Sequence, residues 1–141
     1  MKLKFIFTVL VVALFSIAGY SQCQTFSRQK CYPKLKPYIA NDQLYSTTML
    51  NDTKIEVPMT FYYGDEYRMV ICAEEQLGKI ELNLKDMNNN VIYTTKSYGT
   101  IMWDFNVDVT QDLTIEIKTQ EGSKEETLDK SGCVTILVGF K

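Results

Sequence analysis

The chain has 141 residues, with 15 basic and 17 acidic side chains, a formal charge of −2 and no histidine. The lack of histidine excludes serine–histidine and cysteine–histidine catalysis, histidine-ligated zinc and the usual general base near neutral pH. The sequence also has no GxSxG turn, no glycine-rich phosphate loop and no CxxC pair. Composition and motifs therefore predict a protein that is not an enzyme.

The start of the chain, residues 1–21, is typical of a secretory signal peptide. Lys2 and Lys4 give it a positive start, residues 5–18 are uncharged and mostly apolar, and small residues occupy positions −3 and −1 of a cleavage site after Ser21. We therefore predict a secreted or periplasmic protein. In that compartment cysteines can form structural disulfides.

Cys23 lies close enough to the cleavage site to raise a second interpretation, a lipoprotein signal. Such a signal has an aliphatic residue three positions before the cysteine and a small residue directly before it, whereas this chain has Tyr20 and Gln22. A lipid on Cys23 would tether the protein to a membrane and remove its sulfur from disulfide formation. Membrane contact is expected only in that case.

A basic arm, residues 22–37, follows the signal peptide and has no acidic residue, while residues 42–141 are net acidic. We expect the arm to lie against the acidic body, and the functional alternative is that it contacts an anionic partner. Nucleic acid is excluded as that partner, because the body would repel phosphate and no strip of basic and aromatic residues occurs. The basic residues are Arg28, Lys30, Lys34 and Lys36.

Proline limits the predicted structure of the arm. Pro33 and Pro37 argue against a long helix, although a turn or two can form around Leu35.

Residues 38–141 form the predicted domain, in which apolar residues recur at every second position. Such alternation, interrupted by turns rich in glycine and asparagine, predicts an all-β fold, an antiparallel β-sandwich of about eight or nine strands. Residues 120–130 are polar and charged and predict a loop. The predicted strands are residues 44–50, 54–63, 67–73, 78–85, 91–96, 103–110, 113–118 and 133–140.

Three segments carry a resemblance to known proteins: FYYGDEYRMVICAEEQLGKIELNLKD, WDFNVDVTQDLTIEIK and GCVTILVGFK. Over residues 31–141 the chain resembles small secreted β-sandwich proteins of Bacteroidetes, a group to which no activity is assigned. At the level of the fold it also resembles pre-peptidase C-terminal domains, which are non-catalytic sandwiches attached to secreted enzymes. Neither resemblance implies a catalytic motif, and a shared fold does not define function.

The four cysteines allow three disulfide pairings. Cys72 and Cys133 lie in apolar predicted strands, so we favour a bridge between them, with Cys23 and Cys31 available to close a small loop in the arm. One alternative joins an arm cysteine to Cys72 or Cys133 and pins the arm to the body. Another leaves Cys72 as a buried free thiol. Each favours a structural role over catalysis or zinc binding.

No cofactor is predicted, and calcium is the alternative. Residues 86–90 place oxygen atoms at alternate positions, as at the start of an EF-hand loop. However, Val91 stands where that loop needs glycine, and Ser97 replaces the bidentate glutamate at its twelfth position. We therefore favour a hairpin turn over a calcium site.

Aromatic residues form the candidate binding surface. Tyr62, Tyr63 and Tyr98 lie beside predicted turns and are expected to be exposed, where rings can stack on sugars or anchor protein interfaces. Trp103 shares a strand face with Phe105 and is expected in the core.

These observations leave three functions. The first is a non-catalytic β-sandwich that binds an envelope or extracellular protein or has a structural role there. The second is a carbohydrate-binding module that uses the tyrosines beside the turns. The third is a hydrolase that uses paired carboxylates, although the acidic residues show no shared pocket.

Overall fold

The structure is a computed structural model that describes residues 23–41, 43–119 and 130–141. The predicted signal peptide lies outside the described residues. So does the predicted loop, apart from Lys130 at its end.

Within these ranges, antiparallel strands form two packed sheets, which confirms the predicted β-sandwich. In the first sheet the order is β1-β9-β4-β7, with β2 also paired to β9, and in the second it is β3-β8-β5-β6. The strand β1 is too short for its alternation to be recognised in the sequence. The strands are β1 (Ile39–Ala40), β2 (Tyr45–Leu50), β3 (Lys54–Phe61), β4 (Glu66–Ala73), β5 (Lys79–Lys85), β6 (Val91–Tyr98), β7 (Thr100–Asn106), β8 (Gln111–Thr119) and β9 (Ser131–Phe140).

The core lies between the sheets and follows the predicted alternation. In β3, Met59 and Phe61 are buried, whereas Glu56 and Pro58 on the opposite face are exposed. Burying each large aliphatic or aromatic side chain contributes about 1.5–3 kcal/mol, so this alternation determines which face of each strand turns inward. The other fully buried side chains include Met69, Ile71, Ile80, Leu82, Leu84, Ile115, Ile117 and Ile136.

The predicted turn around Leu35 is present as a short helix, and the helical part of the arm extends further back than predicted. Residues 23–26 are helical, a π-helical turn spans Ser27–Cys31, and a short helix, α1, spans Tyr32–Leu35. In the π-helical turn the N–H of Tyr32 donates to the carbonyl of Ser27, which widens the helix just before Pro33. That widening accommodates a proline that would otherwise clash with the preceding turn.

The arm covers the outer face of the first sheet. Its buried residues recur every fourth position, at Cys23, Ser27, Cys31 and Leu35. Beneath them, the outward-facing side chains of β4 and β9, such as Val70 and Leu137, are completely buried in a second apolar cluster. None of the described helices is long and apolar enough to cross a membrane.

Two disulfides fasten the arm, Cys23–Cys133 and Cys31–Cys72. The favoured bridge between Cys72 and Cys133 was therefore wrong, and the alternative that pins the arm to the body is what the structure shows. On the β4 side, the residue opposite Cys133 is Glu74, whose N–H donates to the Cys133 carbonyl at 3.0 Å. Cys72 is thus a diagonal neighbour of Cys133, about 7 Å away and outside disulfide range.

The Cys23–Cys133 bridge bears on the two interpretations of Cys23. A lipid anchor would be attached through the Cys23 sulfur, and that atom is bonded to Cys133. The structure therefore corresponds to the disulfide interpretation.

Candidate functional site

The predicted tyrosine surface is split between opposite ends of the sandwich. The side chains of Tyr62, Tyr63 and Tyr98 are 58%, 71% and 73% exposed, as expected. Tyr62 and Tyr63 precede β4, whereas Tyr98 precedes β7, which is antiparallel to β4. The eight residues of β4 separate the two groups by more than about 20 Å. The three tyrosines therefore do not form one surface.

The Tyr98 end of the sandwich contains a groove, which we call the arm groove. It consists of two cavities of about 360 and 320 Å³, which share Glu75 and Gly99 in their linings. One wall is the arm, the other is the segment after β4, and Tyr98 lines the second cavity. Neither cavity is lined by Tyr62 or Tyr63. Of the predicted binding residues, only Tyr98 belongs to this site.

The arm wall of the groove consists of side chains that project from one side of the helical arm. Phe26, Lys30 and Lys34 line the groove at successive four-residue intervals, which places them on the same side of a helix. The Lys34 ammonium donates to the Thr100 hydroxyl at 2.7 Å and so reaches the first residue of β7. This wall was not predicted, because Pro33 and Pro37 argue against a continuous helix. The signal was present in the parallel spacing of Cys23, Ser27, Cys31 and Leu35.

The opposite wall is the 3-10 turn Glu75–Leu77, which buried Leu77 anchors to the core. The carboxylate of Glu74 accepts hydrogen bonds from the Cys133 N–H at 2.7 Å and from the Gln76 amide at 3.0 Å. Glu75 is exposed and makes no side-chain hydrogen bond to a described residue. The groove thus contains one hydrogen-bonded carboxylate, that of Glu74, and one without a described hydrogen bond, that of Glu75. Opposite them lie the ammonium groups of two arm lysines.

The cations of the arm differ from those of the body. Six body cations each form an ion pair with a described carboxylate, namely Lys54, Arg68, Lys85, Lys96, Lys118 and Lys141. A seventh, Lys79, lies over the Tyr98 ring instead. By contrast, Arg28, Lys30, Lys34 and Lys36 are exposed and form none with any described carboxylate. The arm lies against the body, as expected, but its cations form no ion pair with the described carboxylates of the body.

Arg68 fastens the arm without using the charges of the arm. Its guanidinium donates to both carboxylate oxygens of Asp104, at 2.7 and 2.6 Å. The remaining nitrogen, Nη1, donates to the carbonyls of Lys34 and Lys36, at 3.3 and 2.8 Å. The hydrogen bonds from Arg68 lower the pKa of Asp104. The hydrogen bonds from Arg68 to the arm carbonyls thus attach the arm to the sheet in addition to the two disulfides.

Every described carboxylate with a perturbed pKa is perturbed downward. Burial alone would raise the pKa of Glu116, but hydrogen bonds from Lys85, Asn83 and Lys118 lower it to about 2. The pKa of Glu81 is lowered chiefly by Lys96. A carboxyl group that acts as general acid needs the opposite shift. These side chains therefore suit ion pairing and not proton donation.

The segment considered for calcium is a hairpin turn. The Asp86 carboxylate accepts hydrogen bonds from the N–H groups of Asn88 and Asn90, both at 2.8 Å, and from the Asn90 amide at 3.0 Å. These bonds, led by that from the Asn90 side chain, lower the pKa of Asp86. Asn89 has φ +62°, as such a turn requires. Across the described ranges, no three acidic or cysteine side chains are grouped to hold a metal.

Trp103 was expected in the core. Its side chain packs against the core but is only half-buried. Its ring stacks between Tyr93, at 4.0 Å, and Phe105, at 4.3 Å. Tyr93 belongs to β6 and Trp103 to β7, so the stack fills the space between the two sheets beside their edge strands.

The fold and the site together define a class: an antiparallel β-sandwich with a disulfide-fastened helical arm, of the kind found outside the cytoplasm. No family model and no curated protein matches the sequence. Among solved structures, PliG of Aeromonas hydrophila, a periplasmic lysozyme inhibitor of g-type lysozyme, is similar with a TM-score of 0.53. The two chains are 10% identical, and the match covers 75% of this chain and 90% of PliG.

Two carbohydrate-binding modules give weaker matches. One is CBM36 in complex with calcium and xylotriose, with a TM-score of 0.40, 8% identity, and coverage of 76% of this chain and 96% of the module. The other is the CBM36-1 domain of a multidomain xylanase from the hindgut metagenome of Trinervitermes trinervoides, with a TM-score of 0.37, 11% identity, and coverage of 76% and 92%. At these identities the comparisons establish the β-sandwich fold alone. The resemblance to Bacteroidetes proteins and pre-peptidase domains stays a prediction.

Proposed function

We propose that the protein is an extracytoplasmic, non-catalytic binding module whose ligand is another protein, and that the arm groove is its binding site. The observation that carries the proposal is the arm itself. Two disulfides and Arg68 hold it in place, so that Phe26 and Lys30 face the groove from a rigid support. A site that is ordered before binding loses little conformational entropy when the ligand arrives.

The charges of the groove favour a polypeptide over a neutral sugar. Lys30 is an exposed ammonium group with no described partner, and Glu75 is an exposed carboxylate across the groove. A partner with side chains of both signs satisfies these charges, whereas hydroxyl groups leave them without a counter-charge. The nearby ring of Tyr98 is the type of side chain that contributes most at protein interfaces.

The downward pKa shifts support a non-catalytic role. A hydrolase based on paired carboxylates needs one group that stays protonated near neutral pH, and burial without a cationic neighbour is what raises a pKa in that way. The buried carboxylate Glu116 has cationic neighbours instead. The hydrolase alternative therefore receives no support from this side chain.

Site-specific photo-crosslinking tests the proposal. A photoreactive residue at Tyr98 should capture a defined protein from a cell-envelope extract, while the same residue at Tyr63 should not. Tyr63 is a matched control because it is 71% exposed against 73% for Tyr98 and lies at the opposite end of the sandwich.

The captured protein, once purified, then allows an affinity measurement. Lys30→Glu and Tyr98→Ala should each weaken binding by at least about tenfold, as for residues at the centre of an interface. Tyr63→Ala should leave the affinity unchanged. Equal affinities for all three variants would reject the arm groove as the site.

A purified g-type lysozyme belongs among the first partners tested, because the inhibitor of such an enzyme has this fold. Inhibition of cell-wall lysis that Tyr98→Ala abolishes would identify the partner directly. A lack of inhibition would exclude this one partner and leave the crosslinking result as the test.

Carbohydrate binding is the second candidate, favoured by one observation. The exposed Tyr98 ring borders an open cavity, and the Lys79 ammonium lies 5.9 Å from the ring centre. Aromatic rings in such positions can stack on sugars. Selective binding on a glycan array that is lost in Tyr98→Ala but kept in Lys30→Glu would support this candidate over a protein ligand.

A further inference from the structure

The free edge of β7 lacks the features that protect the other sheet edges. An exposed edge strand presents unpaired N–H and C=O groups to other chains, and proteins usually block it with proline, lysine or a bulge. At the edge of the second sheet, β3 has Pro58, at a position whose backbone faces away from β8. The opposite edge strand, β6, has Lys96 and a register shift beside Lys85. The remaining edge is interrupted between β1 and β2.

By contrast, β7 is regular along its whole length. Its seven residues, Thr100–Asn106, pair with β4 without a register shift and include no proline, lysine or arginine. It is the last strand of its sheet. Of the four edges in the described ranges, this one is therefore the most open to pairing.

The hydrogen-bond alternation shows which backbone groups are free. The N–H of Ala73 donates to the carbonyl of Gly99 at 2.7 Å. In an antiparallel ladder, such pairs recur at every second residue, so the odd-numbered residues of β7 bond to β4. The N–H and C=O groups of Thr100, Met102 and Asp104 consequently point away from the sheet.

The side chains along this edge are self-complementary. At its start, Thr100 holds the ammonium of Lys34 at 2.7 Å. In the middle, Met102 is 55% exposed, and further on Asp104 presents an exposed carboxylate that accepts one hydrogen bond from Arg68 on each oxygen and has further lone pairs free. The order is cation, apolar residue, anion. A second strand running in the opposite direction presents the same order reversed.

We propose that β7 pairs with β7 of a second copy of this chain, antiparallel and centred on Met102, so that two first sheets become one continuous sheet. This register sets Met102 against Met102 of the other copy. It also sets Asp104 opposite the partner's Thr100 and hence beside the partner's Lys34. The contact is isologous, and the two-fold symmetry closes the assembly at a dimer. The proposal does not depend on the proposed function.

The first test is the oligomeric state of the disulfide-bonded protein, measured by sedimentation between about 1 and 300 µM, because dimer formation follows mass action. We expect a reversible dimer. Met102→Lys places a charge at the centre of the edge and should weaken dimer formation by at least about tenfold. The matched control is Ile92→Lys, because Ile92 is 52% exposed on β6 and should leave the dimer unchanged. Circular dichroism checks that both variants fold.

Two further measurements locate the interface. The single tryptophan, Trp103, is half-buried next to Met102, so its fluorescence should shift to shorter wavelength as the dimer forms. Hydrogen exchange of the Met102 and Asp104 amides should slow with concentration in the native protein but not in Met102→Lys.

Three results would overturn the proposal. A monomer throughout the concentration range would do so, as would a dimer that Met102→Lys leaves intact. The third is protection of the β7 amides only in the presence of an added extended peptide, which would assign the edge to a foreign strand instead of a second copy.

Discussion

At the scale of single residues, the buried Ser27 of the arm and the half-buried Ser46 beneath it differ in their hydrogen bonding. The Ser27 hydroxyl is buried and has no hydrogen-bond partner in the part of the chain that is described. The Ser46 hydroxyl lies 3.0 Å from the Thr135 hydroxyl and donates to the Cys23 carbonyl at 3.4 Å. An unsatisfied buried polar group costs about 1–3 kcal/mol, whereas a satisfied one contributes to stability.

Removing the two hydroxyls should therefore have opposite effects. Ser27→Ala should leave the free energy of unfolding unchanged or raise it by about 1 kcal/mol, because it removes an unsatisfied group and favours the helix. Ser46→Ala should lower it by about 1 kcal/mol. Denaturant unfolding of both variants measures the difference. A loss of stability in Ser27→Ala would mean that the hydroxyl has a partner.

Glu116 should control the acid stability of the second sheet. Its folded pKa of about 2 lies below the ordinary 4.5, because Lys85, Asn83 and Lys118 donate to the carboxylate. A lowered folded pKa means that this stabilisation is complete above about pH 4.5 and is lost as the pH falls towards 2. Glu116→Gln should cost on the order of 2 kcal/mol at pH 7 and flatten the stability profile over that interval.

The control for this prediction is Glu75→Gln. The Glu75 side chain is exposed and forms no hydrogen bond or ion pair with a described side chain, so the acid limb of the profile should stay as in the native protein. If Glu116→Gln kept the native slope between pH 4.5 and 2, the acid sensitivity would have another origin.

At the scale of elements, the arm packs so closely on β9 that a glycine is required at the contact. A Cβ atom added to Gly139 would lie 2.7 Å from the Cδ1 atom of Leu35 and 3.0 Å from the carbonyl oxygen of Ile39. Leu35 can shift, but the Ile39 oxygen belongs to β1, which is paired to β9. The contact therefore has little room to relax.

Gly139→Ala should displace the end of the arm and lower the free energy of unfolding by about 1–3 kcal/mol, as overpacking does elsewhere. Hydrogen exchange should increase in residues 32–40 and remain unchanged in the second sheet. Native stability combined with native exchange would show that the arm is held more loosely than the structure describes.

The same elements show why some parts of the fold are predictable and others are not. Alternation identifies β3 because Met59 and Phe61 are buried on one side of a regular strand. The helix before Pro33 was not predicted, because proline is expected to interrupt a regular α-helix. Here a π-helical turn precedes Pro33 and leaves room for its ring. The buried residues of the arm recur at four-residue intervals, but they include at most one apolar side chain per turn. Such a narrow apolar face does not identify a helix from sequence.

At the scale of the whole molecule, the binding site depends on pairings that are distant in sequence. The arm groove joins Lys30, Glu75 and Tyr98, which lie in three separate segments and meet only because β4 pairs with both β7 and β9. Exposure of Tyr98 follows from its place beside a turn and was predictable. Its separation from Tyr62 and Tyr63 required the strand order, and so did the disulfide pairing.

The position of β9 has a consequence for export. This strand lies in the interior of the first sheet, between β4 and the edge formed by β1 and β2, and it carries the cysteine that binds Cys23. The earliest described segment and the latest one are thus each other's partners. Neither the first sheet nor its arm bridge can be completed before β9 is present, so a chain that crosses a membrane from its N-terminus would lack this sheet until β9 has crossed.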